Sequence, residues 1–239
     1  GYASFQYTPE FIQTGIEVSP ILMPLSDRIY SFPELSSQTF LGMPGLLADA
    51  LPDRFGRALL DQWLAMNNRI QANPVERLCY QGKRCMGALE FAPAQNRGFD
   101  ETSIIEVASL VKVASDVLHN RAILQTNMGQ PTEALMDILR VGTSAGGQRA
   151  KAVIAYNDET KEVRSGQLDA PKGFDYWLLK LDGVTNSQLG DPQHYGEIEY
   201  VYYLMAKLSG INMTECRLLH EHNRAHFMTR RFDRVNGEK

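Results

Sequence analysis

The sequence predicts an α+β protein: a mixed amino-terminal subdomain over residues 1–128, then a second lobe over 129–239 built on strands and one long helix. Three observations predict it. Helical spacing and helix caps dominate residues 46–118, aromatic and aliphatic strand-like runs collect after residue 150, and a glycine-containing loop leads into the first of those strands.

Within the amino-terminal part, Leu46 to Ala50 and Asp53 to Met66 read as helices separated by Pro52, which lacks the N–H that a helix interior needs. Asp53 reads as the start of its helix with Arg54 as partner, rather than as half of an acid–base pair. Pro74 suits the first position of a further short helix that Gly82 can close. Cys85 to Phe91 is expected as a strand, and Ser103 to Leu118 as an amphipathic helix capped by Ser103. The chain divides near residues 128–132, and Pro131 to Leu139 is expected as a helix delivering it into the glycine loop.

That loop is Gly142-Thr-Ser-Ala-Gly-Gly-Gln-Arg-Ala-Lys151, running straight into the strand-like Ala152 to Tyr156. Gly146 and Gly147 have no Cβ, so the backbone there can bring N–H groups close to an anion, and Thr143, Ser144 and Lys151 add hydroxyls and a positive charge. The order is neither a Walker A loop nor Gly-x-Gly-x-x-Gly, so the loop alone is also compatible with a plain helix-to-strand connection. Phe174 to Leu181 reads as a buried strand with Lys180 near its end, and a strand ammonium among apolar neighbours calls for an anionic partner. From Glu197 to Leu208, Ile198, Val201, Tyr202, Leu204, Met205 and Leu208 recur at helical spacing, with Gly210 as the stop and Glu199 placed in the first turn. Cys216 to His220 and Ala225 to Phe232 form a hairpin around Glu221 to Arg224. Taken singly, such a lysine more often snorkels and such a glutamate more often caps. A glycine loop, a strand lysine, a helix glutamate and a hairpin in this order are the parts of a protein-kinase-like small lobe.

Composition excludes more than it selects. The 239 residues are 44% hydrophobic and 22% charged, as in an ordinary globular protein. A formal charge of −4 and a pI near 5.8 leave no basic footprint, so no direct nucleic-acid contact is expected. No apolar run approaches a membrane span of about 18 residues. Cys79, Cys85 and Cys216 lack metal spacing and read as reduced thiols of a cytoplasmic protein. His220, His222 and His226 have no cysteine or carboxylate cluster to complete a metal shell.

At these residues the chain resembles the HipA-like serine/threonine kinases of bacterial toxin–antitoxin modules. The likeness rests on Ser144-x-Gly146-Gly147-x-x-x-Lys151, on the strand ending in Lys180, on the helix carrying Glu199, Ala206 and Gly210, and on Arg231-Phe-Asp-Arg234. Leu51-Pro-Asp-Arg-Phe-Gly56 and Cys85-Met-Gly-Ala-Leu89 resemble the family's amino-terminal region, so nearly the whole chain is covered. The resemblance implies ATP and Mg²⁺, with the nucleotide bound by Ser144, Ala145, Gly146, Gly147, Lys151, Lys180 and Glu199. Phe232 is expected to line the adenine and Asp233 to approach the ribose. Ser144 matches the serine autophosphorylated in family members, where a dianionic group would repel the nucleotide's own phosphates. A helix-turn-helix antitoxin and a protein substrate of the aminoacyl-tRNA synthetase class are the implied partners.

Two departures from the family pattern bear on this. Arg230 stands where some relatives place an adenine-binding glutamate, and the sequence ends at Lys239 before any catalytic-loop aspartate or metal-binding residue. The expectation is a fragment truncated at both ends, without catalytic or metal-binding residues of its own and unable to transfer phosphate alone. Two other readings stay open at this stage: a non-catalytic nucleotide- or antitoxin-binding module, and a kinase acting on a small molecule.

Overall fold

The protein is described by a computed structural model over residues 1–66, 68–69, 71–85, 87–95, 104–119, 150–184 and 193–234. The expected helix Pro131 to Leu139, most of the glycine loop and most of the connection from Asn186 to His194 lie outside these residues.

Prolines and short polar caps punctuate the amino-terminal helices. Thr8 caps α1 (Pro9–Gln13), and Ser36 caps α2 (Ser37–Phe40). α3 (Gly45–Asp49) precedes Pro52, and α4 (Arg54–Met66) begins immediately after Asp53. Asp53 is the cap foreseen: its Oδ1 accepts the Gly56 N–H at 2.8 Å. α5 (Pro74–Gln81) opens with a reciprocal capping box between Asn73 and Glu76 and closes at Gly82, whose φ is +56°.

Two expectations fail here for identifiable reasons. The described residues between Cys85 and Phe91 form no strand: Gly87 turns the chain with φ +76°, and the Phe91 N–H returns to the Gly82 carbonyl at 3.1 Å. The helix expected from Ser103 begins later, as α6 (Val107–His119). Ile104 forms an antiparallel bridge with Arg164, and the Ile105 N–H donates to the Val163 carbonyl at 2.8 Å. Pairing with an open sheet edge outcompetes the first helical turn at those two residues.

The sheet they extend has five antiparallel strands in the order β2-β1-β3-β5-β4. These are β1 (Lys151–Asn157), β2 (Val163–Ser165), β3 (Phe174–Lys180), β4 (Cys216–Glu221) and β5 (Arg224–Arg230). The polar run after Asn157 is the turn expected, with the Asn157 side chain accepting from the Glu159 and Thr160 N–H groups. α7 (Tyr195–Leu208) follows β3 and packs on β5 and β4.

Strand alternation divides the sheet into two faces. Ala152, Ile154, Trp177, Leu179 and Met228 enter a core shared with Ala58 and Leu59 of α4 and Leu110, Val111 and Ala114 of α6. Trp177 and Leu179 are fully buried there. Lys180, next to Leu179 and the last residue of β3, must therefore emerge on the opposite face. Smaller clusters around Tyr7, Met23 and Tyr30, and around Met43, Leu51 and Leu78, hold the amino-terminal segments together.

Candidate functional site

Lys180 leaves the face of the sheet opposite the main core and donates a short hydrogen bond to the Glu199 carboxylate on α7. Its ammonium also lies 5.5 Å from the centroid of the Phe227 ring. The two side chains stay 34% and 25% exposed, so the pair is fixed yet still open to an incoming anion.

Two features of α7 place Glu199. The helix begins at Tyr195, so Glu199 sits in its second turn rather than its first, and its partner is the lysine rather than the helix terminus. Near the start of the helix, Gly196 is buried against β5: a Cβ there would lie 2.0 Å from the Ala225 carbonyl oxygen. The stripe turned inward carries Gly196, Glu199, Tyr200, Tyr203 and Ala206, while Ile198, Val201, Tyr202, Met205 and Leu208 lie exposed on the other stripe.

Lys151 pairs directly opposite Lys180 in the β1/β3 register. Its side chain is buried among the described residues. Its ammonium is 3.7 Å from Asp53 Oδ2, and the two side chains are only 6% and 3% exposed. Burial pushes the Lys151 ammonium below the ordinary lysine value, with Lys180 acting in the same direction and Asp53 against it.

At the far end of β5 the strand stops at Arg230, which pairs with Asp175 at 2.5 Å. Arg231 turns inward and is buried: its N–H donates to the Tyr176 carbonyl at 2.9 Å and its guanidinium to the Gly166 carbonyl at 3.3 Å. Asp233 does not project freely. Its carboxylate accepts two bonds from Arg231, at 2.8 and 2.6 Å, and one from the Gly87 N–H at 3.3 Å. Between these anchored residues Phe232 is 83% exposed and presents an open ring.

The family model for the HipA N-terminal domain matches residues 1–92, and that for the HipA-like C-terminal domain matches residues 143–239. The chain belongs to the HipA-like family. This places it among components of toxin–antitoxin modules. A search of the curated proteins finds no match.

In this HipA-like chain the structure brings Lys180 and Glu199 together and sets Phe232 and Asp233 at the end of β5, while Ser144, Ala145, Gly146 and Gly147 lie outside the described residues. Sequence reasoning missed two contacts, Asp53 on Lys151 and Arg231 on Asp233. Asp53 showed only its local helix-capping signal, and a contact between distant segments leaves no spacing to read. No group of three or more His, Cys, Asp or Glu side chains among the described residues is arranged to hold a metal. His226, one of the three hairpin histidines, is fully buried, its Nδ1 accepting the Asp182 N–H at 2.9 Å. The three cysteines are free thiols, Cys85 and Cys216 buried. No helix among the described residues is long and apolar enough to cross a membrane.

The Asp233 contacts make a testable prediction. Its hydrogen bonds from Arg231 hold the carboxyl below its ordinary value, so the pair's contribution is complete above the unfolded carboxyl's titration and is lost as pH falls through the folded one. Asp233→Asn is expected to cost about 1–3 kcal/mol at neutral pH by leaving the Arg231 guanidinium without its counter-charge. Denaturant unfolding of both proteins should show that difference shrinking as the pH falls from the ordinary carboxyl value through the lowered one.

Proposed function

We propose that this chain is the nucleotide-binding part of an ATP-dependent protein serine/threonine kinase, the toxin component of a cytoplasmic toxin–antitoxin module. The observation that carries the reading is the Lys180–Glu199 ion pair, partly exposed on a five-stranded antiparallel sheet whose first strand directly follows the Ser144-x-Gly146-Gly147 loop in sequence. The residues fit a nucleoside polyphosphate: a pre-oriented ammonium supplies charge to phosphate oxygens, and an exposed aromatic ring at Phe232 supplies a stacking surface for a base.

In this reading Lys180 binds phosphate while Glu199 holds its ammonium in place. Phe232 lines the adenine. Asp233 and Arg231 act by fixing the segment that carries Phe232, and the backbone around Gly146 and Gly147 covers the phosphates. Mg²⁺ enters with the nucleotide. Residues 1–128 form the amino-terminal subdomain and 129–239 the nucleotide lobe; phosphoryl acceptors are Ser144 itself and a protein of the aminoacyl-tRNA synthetase class, with a helix-turn-helix antitoxin as partner. The test is phosphopeptide mapping of the full-length protein, dephosphorylated and then incubated with ATP and Mg²⁺, alongside calorimetric titration with ATP. Binding with phosphate on Ser144 is the expected result; absence of nucleotide binding overturns the reading.

A further inference from the structure

Lys151 and Lys180 face each other across β1 and β3, so both ammonium groups leave the same face of the sheet. Like charges in that relation repel, and both compete for any nearby carboxylate. Four charged groups meet here, each from a different element: Lys151 from β1, Lys180 from β3, Glu199 from α7 and Asp53 from the amino end of α4. They are sorted into two pairs of different character. Asp53 and Lys151 are shut away from solvent, whereas Lys180 and Glu199 remain open.

We propose that Asp53 is a positioning residue of the nucleotide site, neutralising Lys151 so that it does not compete with Lys180 for Glu199; this rests on the nucleotide-binding reading above. Asp53 lies within residues 1–92 and Lys151 within 143–239, so the two matched domains of the chain are joined by a buried charge pair beside the phosphate-binding lysine. The amino-terminal part is thereby a component of the site's electrostatics as well as a neighbour of its fold. Without the Asp53 charge, the buried Lys151 ammonium, which already feels the Glu199 carboxylate, competes for it, and Lys180 loses its fixed position.

Asp53 has two oxygens with separate tasks, and this makes the proposal testable. Oδ1 caps α4, and asparagine caps a helix as well as aspartate does. Asp53→Asn therefore keeps the cap and removes the charge. In the full-length protein, ADP affinity measured by calorimetry is expected to fall by roughly five- to tenfold in Asp53→Asn, the scale of coupling between neighbouring charges. Adding Lys151→Met removes the competing ammonium while keeping an unbranched apolar stem, and is expected to restore affinity in the double variant. A nucleotide-independent measurement accompanies this: trace acetylation of lysines in the absence of nucleotide, read by mass spectrometry. Lys180 should react faster in Asp53→Asn and return to its original rate in the double variant.

A purely structural cap predicts neither change nor rescue. Unaltered ADP affinity and unaltered Lys180 reactivity in Asp53→Asn overturn the proposal, as does a double variant no better than the single one. If the unmodified protein binds no ADP, the nucleotide reading falls, and with it the functional part of this proposal; the acetylation rates then still decide whether Asp53 governs the Lys180–Glu199 pair.

Discussion

Lys180→Met is expected to weaken ATP binding by about 1.5–3 kcal/mol, the value of a hydrogen bond to a charged group, while leaving the fold nearly as stable as before. The asymmetry follows from where the side chain lies. Lys180 stands opposite Phe227 in the β3/β5 register, a neighbour that methionine can also contact, while its ammonium reaches a partly open surface. Glu199 loses the Lys180 ammonium in the variant, but it is 25% exposed and can hydrate, so the loss to stability should stay within about 1 kcal/mol, as for other accessible ion pairs. In the full-length protein, phosphate on Ser144 should disappear together with the affinity. Calorimetry with ATP and a thermal unfolding curve on the same sample separate the two effects. Affinity equal to that of the unmodified protein would remove Lys180 from the site, and a collapse of stability would make it a structural residue.

What could be read from the sequence divides by the range of the information. β3 was legible because Tyr176, Trp177, Leu178 and Leu179 are strand formers in unbroken succession, and the hairpin because Glu221 to Arg224 interrupts two apolar runs. α5 was legible from Pro74 and Gly82, whose backbone preferences are local facts. The face of α7 was a different problem. Its sequence carries two stripes at helical spacing, and the aliphatic one, from Ile198 to Leu208, is the one a hydrophobicity argument selects for burial. The sheet instead takes the stripe beginning at Gly196, because the glycine allows close approach to β5 and Glu199 finds an ammonium there. Ile104 and Ile105 went to the edge of β2 for a similarly distant reason, since nothing in their own neighbourhood announces an unpaired strand. The Lys180–Glu199 pair was anticipated from the cost of leaving a strand lysine without an anion. Lys151 posed the same question, but its answer, Asp53, lies in the other half of the chain and was disguised as a helix cap.

Gly196→Ala gives the strongest expected effect on stability, and its sign is informative. Taken as an isolated helix position, alanine is better than glycine by about 1 kcal/mol, so an unconstrained α7 should gain stability from the change. In the packed protein the new Cβ would lie 2.0 Å from the Ala225 carbonyl oxygen and 3.1 Å from both the Ala225 carbonyl carbon and the Phe227 nitrogen. All three are backbone atoms of β5, which cannot turn aside as a side-chain tip can. The first turn of α7 must retreat from the sheet, and the expected net loss is about 3 kcal/mol, the upper range for overpacking a close contact. Because Glu199 follows Gly196 by less than one helical turn, the retreat also draws the carboxylate away from Lys180, so ATP affinity should fall together with stability. That joint loss differs from Lys180→Met, where affinity falls and stability does not. Urea unfolding and ATP calorimetry on the two variants therefore test the packing of α7 and the role of its glutamate separately. A stabilised Gly196→Ala would mean that the helix does not press on β5, and the geometry that presents Glu199 to Lys180 would then have to be abandoned.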